Sequence, residues 1–173
     1  MPKANNRVFI VDDDAMHNDM LKKFFEEKYK VQVMAFTNGD DAFRNLEWNP
    51  TYVFCDYHLD RMSAGELTGA DLMRRIRQAL PKAYVVMMSA QDKLDIMADA
   101  MKHGAFDHVV KNTTGFLRIG NVMNHAMRMA RFQATVKAYQ TATIIFGTFL
   151  LVAVAVIIFM LRSSNSVEPT VMP

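Results

Sequence analysis

Carboxylates follow two apolar runs of this sequence, and both runs are typical of buried strands. The acidic triplet of residues 12–14 comes directly after residues 8–11, and Asp56 closes the run of residues 53–56. Because the carboxyl ends of parallel strands share one edge of a sheet, we expect these acids to meet there. An oxygen-rich site of this kind suits Mg²⁺, which retains waters that a phosphate can replace. A carboxylate beside such an ion can attack phosphorus and form an acyl phosphate.

Two later strand ends carry groups that complement these acids. Ser89 follows the fourth apolar run, and Lys111 follows the fifth. A hydroxyl and an amine at the same sheet edge would bind phosphoryl oxygens and neutralise their charge. Taken singly, an acid at a strand end is usually a cap, and a lone lysine is usually solvated. The succession of acids, acid, hydroxyl and amine favours a joint site, with a metal held by Asp12 and Asp13 opposite Asp56.

Five apolar runs alternate with five helical patterns along the chain. Strict alternation predicts an α/β fold, a doubly wound five-stranded parallel sheet with helices on both faces. The crossovers are expected to be right-handed. We predict strands at residues 8–11, 31–36, 52–56, 83–89 and 107–110, and helices at residues 16–25, 38–49, 68–80, 94–103 and from about 114, with a long loop at residues 57–67.

Residue spacing assigns faces to several of these helices. Thr68 and Asp71 are typical of a capping box at the start of the third helix. The 15 methionines are interpreted as core filler, because they fall at helical core spacings. Cys55 lies inside a strand and is interpreted as a buried core thiol. In the fourth helix, an i, i+3, i+4, i+7 stripe is expected to face inward, and it consists of Leu94, Met97, Ala98 and Met101.

An apolar run of 19 residues, 143–161, lies near the C-terminus. As a helix it measures about 28 Å, close to the roughly 30 Å hydrocarbon core of a bilayer. We predict a transmembrane helix rather than a buried helix of the soluble domain, because no charge interrupts the run. The fifth helix can continue into it, although the sequence leaves that open. The predicted parts are an α/β domain (7–130), a juxtamembrane helical extension (131–142), a transmembrane helix (143–162) and a short polar tail (163–173).

The charges that flank this run predict its orientation. Arg118, Arg128, Arg131 and Lys137 precede it, and only Arg162 follows it. The positive-inside rule therefore predicts a single-pass protein with the α/β domain in the cytoplasm and the tail on the far side. The N-terminus lacks an apolar signal region, which agrees with this orientation. A net charge of +2 gives no reason to expect a nucleic-acid partner.

Residues 7 to about 128 resemble the receiver domain of response regulators in two-component phosphorelays. The resemblance implies a flavodoxin-like sheet of strand order 2-1-3-4-5 and Mg²⁺ as cofactor. It also implies that a histidine kinase or a phosphotransfer protein supplies the phosphoryl group. The motifs that carry the resemblance are Val11-Asp12-Asp13-Asp14, Cys55-Asp56, Met88-Ser89-Ala90 and Val109-Val110-Lys111.

The resemblance implies a role for each acidic residue of the site. Asp56 is implied to be the phosphoacceptor. Asp12 and Asp13 are implied to hold Mg²⁺ together with Asp56, and the backbone carbonyl of His58 is implied to complete that metal site.

The remaining site residues include both family features and departures from them. Lys111 is implied to bind the phosphoryl group, and Ser89 is implied to be the switch hydroxyl. His108 stands where the family often has a switch tyrosine or phenylalanine; it is interpreted either as a pH-sensitive switch or as a partly buried strand residue. Asn112 replaces a usual proline, and the loop after Asp56 is longer than usual. Three other histidines are interpreted as surface residues on helices, namely His17, His103 and His125.

Together these features predict a membrane-tethered phosphoacceptor switch that is not an enzyme. The sequence shows no DNA-binding or catalytic output domain, so the expected output is a contact with an unidentified downstream protein or a change of oligomeric state, a homodimer included. The span has no GxxxG pattern, so it does not itself support pairing. The alternative is a constitutive membrane adaptor that keeps the receiver fold but does not use its phosphosite. A phosphatase is disfavoured, because we find no substrate-enclosing cap domain.

Overall fold

Five parallel strands form one sheet in the computed structural model, which describes residues 6–59 and 67–164. Helices alternate with the strands along the chain, and a 3₁₀ turn at Leu46–Trp48 follows the second helix. The strands are β1 (Arg7–Val11), β2 (Gln32–Phe36), β3 (Tyr52–Asp56), β4 (Tyr84–Ser89) and β5 (Asp107–Val110). The helices are α1 (Ala15–Tyr29), α2 (Gly39–Arg44), α3 (Gly69–Ala79), α4 (Leu94–Lys102) and α5 (Gly115–Ser164).

The strand order is β2-β1-β3-β4-β5, and every neighbouring pair is parallel. This order confirms the predicted doubly wound α/β fold. The chain order reverses between β1 and β3, and α/β folds bind ligands in the crevice at such a reversal. The register pairs Val11 with Cys55, so Asp12 and Asp56 leave the sheet side by side.

The central strands are buried on both faces, because helices cover the sheet on each side. Every residue of β3 and β4 is buried. On one face, Phe25 from α1 packs against Phe54 with the ring centroids 4.6 Å apart. On the other face, Cys55 packs in a cluster with Leu72 and Met73 from α3. Cys55 is therefore a core thiol, and its burial raises its pKa.

The prediction of which face of α4 is buried is wrong. Ile96 and Ala100 are the buried residues of this helix. The predicted stripe lies on the exposed side, where Leu94 is 74% exposed. The spacing of apolar residues identifies two stripes on α4, but the rotation of the helix on the sheet decides which stripe is buried.

Two further predictions need correction. Met16 and Met20 are exposed on α1, so the interpretation of methionine as core filler fails for them, whereas Met73 and Met87 are fully buried. The second helix is shorter than residues 38–49, because α2 ends at Arg44 and the 3₁₀ turn closes at Asn49. The predicted caps of α2 and α3 are present, at Asn38 and in the Thr68–Asp71 capping box.

Gly69 opens α3 directly against the end of β3. A Cβ atom at this position would overlap the carbonyl oxygen of Asp56. We expect Gly69→Ala to lower the free energy of unfolding by about 3 kcal/mol, because backbone cannot yield as a side chain can. The measurement is denaturant unfolding followed by the fluorescence of Trp48, the single tryptophan.

Gly120→Ala is the matched control for this substitution. The nearest atoms to a Cβ at Gly120 are the side-chain ends of Tyr29 and Lys28, at 3.3 and 3.4 Å. These flexible ends can shift, and alanine is the better helix former. Equal stabilities of the two variants would contradict the steric argument at Gly69.

Helix α5 continues from the α/β domain through the apolar run. The chain divides into two units, residues 1–128 and 129–173, and α5 (Gly115–Ser164) contributes residues to both. Among the described residues, α5 is the one helix long and apolar enough to be a candidate membrane span. The predicted long loop and the polar tail lie partly outside the described residues, at 60–66 and 165–173.

Candidate functional site

Four strand ends bring polar side chains to one edge of the sheet. Asp56 is the last residue of β3, Ser89 is the last residue of β4, and Asp12 and Lys111 directly follow β1 and β5. Asp12, Asp56 and Ser89 are buried. The structure therefore places at one edge the four groups that the sequence placed after successive apolar runs.

Three carboxylates meet at this edge. One oxygen each from Asp12, Asp13 and Asp56 lies within 4.8 Å of the other two, and only Asp13 is exposed. Three anionic oxygens this close repel one another unless a cation lies among them. A set of oxygen donors fits a hard divalent ion such as Mg²⁺. The residues present thus fit the metal that the sequence predicts.

Lys111 bridges two of these carboxylates. Its Nζ donates a hydrogen bond to Asp12 Oδ2 at 2.9 Å and another to Asp56 Oδ2. Burial lowers the pKa of Lys111, but the hydrogen bonds to Asp56 and Asp12 outweigh burial and raise the pKa above its usual value. The described residues contain no cis peptide bond, so Lys111 reaches both acids with a trans bond to Asn112.

Asp12 is held by donors on both of its oxygens. Oδ2 accepts from His17 Nδ1 at 2.6 Å as well as from Lys111, and Oδ1 accepts from the backbone N–H of Asp14 at 3.1 Å. Burial alone would raise the pKa of Asp12. The hydrogen bonds from His17 and Lys111 outweigh burial and hold that pKa below its usual value. Asp12 is therefore a carboxylate of fixed orientation.

His17 belongs to this site, so its interpretation as a surface residue is wrong. Its side chain is only 16% exposed. Because an ionised carboxylate only accepts hydrogen bonds, Nδ1 of His17 must carry a proton and donate the hydrogen bond to Asp12. Asp14 caps α1, which makes His17 the third residue of the helix. A side chain at that position reaches back toward the helix start, and this spacing is the sequence signal that could have found it.

Asp14, the third acid of the triplet, caps α1. Its Oδ1 accepts hydrogen bonds from the backbone N–H groups of Met16 and His17, at 2.9 and 3.2 Å. A carboxylate at this place satisfies two of the free donors at the helix start. The triplet thus divides into two acids that face Asp56 and one acid that shapes the local backbone.

Ser89 and His108 contact each other beneath the sheet edge. Ser89 Oγ donates a hydrogen bond to the carbonyl of Gln91 at 2.6 Å. His108 Nε2 lies 3.0 Å from the Ser89 Oγ atom. Because the hydroxyl has one proton, Nε2 of His108 is then the donor of the second bond. Burial, assisted by the charge of Arg118, lowers the pKa of His108. His108 is thus a buried strand residue, and its role in switching stays a prediction.

His58 contributes its backbone to the site. Its N–H donates a hydrogen bond to Asp56 Oδ1 at 3.1 Å and so orients the carboxylate oxygen that Lys111 does not bind. The implied role of its carbonyl in metal binding stays a prediction.

A family model for the response regulator receiver domain matches residues 8–116. The chain belongs to this family. CheY, a chemotaxis protein of Thermotoga maritima, is 34% identical over 107 residues, which cover 61% of this chain and 84% of CheY. A protein-glutamate methylesterase/protein-glutamine glutaminase of Bacillus licheniformis is 29% identical over 108 residues. That match covers 61% of this chain but only 29% of the methylesterase, so the similarity is confined to a part of that protein.

Solved structures show the same fold. NtrX from Brucella abortus, in complex with ATP, matches with a TM-score of 0.68 and 22% identity, over 78% of this chain and 29% of NtrX. The receiver domain of a putative LuxO repressor from Vibrio parahaemolyticus matches with a TM-score of 0.65 and 20% identity, over 77% of this chain and 98% of that domain. Membership of the family implies an interaction with a histidine kinase or a phosphotransfer protein. Receiver domains are in general phosphoacceptors rather than catalysts.

Removal of the His17 donor is expected to weaken Mg²⁺ binding about 10-fold, because Asp12 would lose one of the groups that orient it. The test compares His17→Leu with His17→Gln, whose amide can still donate, by calorimetric titration of the full chain with Mg²⁺ in detergent. His103→Leu is the control, since His103 contacts the carbonyl of Asp99 on α4. An affinity of His17→Leu equal to or tighter than that of the wild type would contradict the expectation.

Proposed function

We propose that this chain is a membrane-tethered phosphoacceptor switch in which Asp56 receives the phosphoryl group. The observation that carries this proposal is the group of three carboxylate oxygens within 4.8 Å of one another, together with the Lys111 amine that binds two of them. Mg²⁺ would be held by Asp12, Asp13, Asp56 and the backbone carbonyl of His58. When bound, Mg²⁺ neutralises charge on the phosphoryl oxygens.

The residues of the chain have distinct parts in this transfer. A carboxylate oxygen of Asp56 attacks phosphorus, so an O–P bond forms while the bond from phosphorus to the donor breaks. The donor keeps that electron pair, and the product is an acyl phosphate. The Lys111 amine, which lies beside Asp56, supplies a hydrogen-bonding cation for the incoming phosphoryl oxygens. The proposed donor is a phosphohistidine of a histidine kinase or of a phosphotransfer protein.

The contact between Ser89 and His108 supports a route for the signal out of the site. The Ser89 hydroxyl now bonds the carbonyl of Gln91, in the loop that leads to α4. A phosphoryl group on Asp56 offers this hydroxyl a stronger, charged acceptor. Transfer of the hydrogen bond would change the contacts of His108 on β5 and of the loop before α4. The downstream partner would recognise that change through a protein–protein contact.

The apolar part of α5 supports the membrane tether. The run is unbroken by charge, and it lies within α5, which is long and apolar enough to be a candidate membrane span. Under this proposal the receiver occupies residues 7–130, the juxtamembrane extension 131–142, the transmembrane helix 143–162 and the tail 163–173. The basic residues ahead of the span support a receiver in the cytoplasm.

Phosphoryl incorporation tests the switch. The full chain in detergent is incubated with acetyl phosphate and Mg²⁺, and its intact mass is recorded with and without EDTA. We expect one added phosphoryl group, dependent on Mg²⁺. If neither acetyl phosphate nor a cognate kinase gives incorporation, the switch is wrong and the constitutive adaptor remains.

Membrane fractionation tests the tether separately. The full chain is expected in the membrane pellet after alkaline extraction, and a chain truncated after residue 142 is expected in the supernatant. Recovery of the full chain in the supernatant would contradict the tether while leaving the phosphoacceptor chemistry untouched.

A further inference from the structure

The segment of α5 between the receiver and the span carries an exposed apolar stripe. Met129, Phe132, Val136 and Tyr139 recur at steps of three, four and three residues, which is the a and d spacing of a heptad. Their exposures are 39%, 67%, 38% and 72% in that order. This stripe lies ahead of the predicted span, where water would surround it. An apolar stripe of this spacing is typical of a helix that packs against another helix.

The residues that line a groove on this segment have the spacing of a coiled-coil hole. A groove is lined by Val136, Tyr139, Gln140, Thr143 and Ile144. The first four of these stand at i, i+3, i+4 and i+7. Four residues at these spacings form the hole that receives one side chain of a partner in a coiled coil.

Charged residues keep clear of the stripe. Arg131 and Lys137 stand at the c and b positions of the heptad, away from the a and d seam. Within residues 129–143 the positions that flank the seam are uncharged, and they are Gln133, Thr135, Gln140 and Ala142. Arg128, at the flanking position ahead of Met129, would face Gln133 of the other helix. Two identical helices can therefore lie side by side here without like charges facing each other.

We propose that residues 129–143 pair with the same segment of a second copy of this chain as a parallel two-stranded coiled coil. The inference rests on the proposed tether, because two copies that enter the membrane in the same sense must run parallel. Val136 stands at an a position, and β-branched residues there suit parallel dimers. Two heptads are a short seam, and confinement to a membrane compensates by raising the local concentration of the second copy.

Cysteine cross-linking in membranes that contain the full chain tests this pairing. The native Cys55 is buried, so the wild-type chain gives a low background. Phe132→Cys and Val136→Cys report on the stripe, and Ala134→Cys and Ala138→Cys report on the opposite side of the same helix. We expect disulfide-linked dimer from the two stripe variants at about 10-fold higher yield than from the two controls after mild oxidation, because the a and d side chains of paired helices lie in contact.

The outcomes separate this inference from the proposed function. Equal yields at all four positions, or no dimer from the stripe variants, would overturn the pairing. The same pattern is expected when each substitution is combined with Asp56→Asn, so a failure of phosphorylation leaves this result unchanged. Cross-linking is measured in whichever fraction holds the chain, so a failure of the tether is read from the fractionation alone. Trp48 fluorescence confirms that each variant retains a folded receiver.

Discussion

Asp56→Asn is expected to abolish phosphoryl incorporation altogether. The amide of asparagine has the shape of the carboxylate but lacks the anionic oxygen that attacks phosphorus. The loss is not expected to come from unfolding, because the substitution removes one of three clustered carboxylates and so relieves their repulsion. Intact mass after incubation with acetyl phosphate and Mg²⁺ measures incorporation, and Trp48 fluorescence measures the folded fraction.

Asp14→Asn is the matched control for Asp56→Asn. It makes the same chemical change beside the site, and asparagine caps a helix as well as aspartate does. The hydrogen bonds from the backbone of Met16 and His17 therefore have an acceptor in the variant. We expect wild-type incorporation in Asp14→Asn. Incorporation that persists in Asp56→Asn would mean that another side chain is the acceptor, and the assignment of Asp56 would be wrong.

Lys111→Met is expected to impair both stability and transfer. The side chains of Asp12 and Asp56 are 0% and 5% exposed, so without the amine two nearly buried carboxylates lose their shared cation. Breaking a buried pair in this way destabilises the fold by about 2–3 kcal/mol when the lysine is itself partly exposed. Loss of a charge beside the phosphoryl group should slow transfer about 100-fold. Unfolding followed by Trp48 fluorescence gives the first quantity, and the rate of incorporation gives the second.

The loss of stability in Lys111→Met should depend on Mg²⁺ and on pH. Saturating Mg²⁺ binds only the folded site and offsets part of the repulsion between the carboxylates of Asp12 and Asp56. The difference in the free energy of unfolding between Lys111→Met and the wild type should therefore narrow. The raised pKa of Lys111 means that its contribution is fully present at neutral pH, and that it is lost only as the pH rises through the folded-state pKa.

Two variants isolate the role of the Lys111 charge. Lys82→Met removes an exposed lysine and should leave both quantities within error of the wild type. Lys111→Arg keeps the charge in a larger, planar group, so it should retain more stability than transfer activity. A Lys111→Met variant as stable and as fast as the wild type would contradict the bridging role seen at Asp12 and Asp56.

Much of the fold follows from patterns that are local in sequence. Apolar runs of four to seven residues alternate with helical spacings, and the five strands and five helices appear where those patterns stand. Caps such as Asn38 and the Thr68–Asp71 box involve residues three apart, so local chemistry suffices to predict them. The rotation of α4 could not be predicted in this way, because its two apolar stripes differ only in which one meets the sheet.

The residues of the site also divide into those that local patterns predict and those that depend on tertiary contacts. Asp12, Asp56, Ser89 and Lys111 could be singled out because each follows an apolar run, and parallel strands end at a common edge. The hydrogen bond from His17 to Asp12 could not be read from a pattern of apolar residues, since it depends on the turn that Asp14 caps. The contact of Ser89 with His108 joins neighbouring strands, and only their register brings the two side chains together.

The sequence by itself determined which chemical groups stand at the strand ends and that an apolar run long enough for a bilayer follows them. These properties depend on residue type and on the periods of helices and strands, which are local. Only the tertiary structure decided which side chains form hydrogen bonds with one another. Lys111 and Asp12 are 99 residues apart and meet through the order of the strands, β1 beside β3 and β5 two strands beyond. The packing of α1 and α4 on that sheet then decided that His17 points into the site and that the apolar stripe of α4 remains exposed.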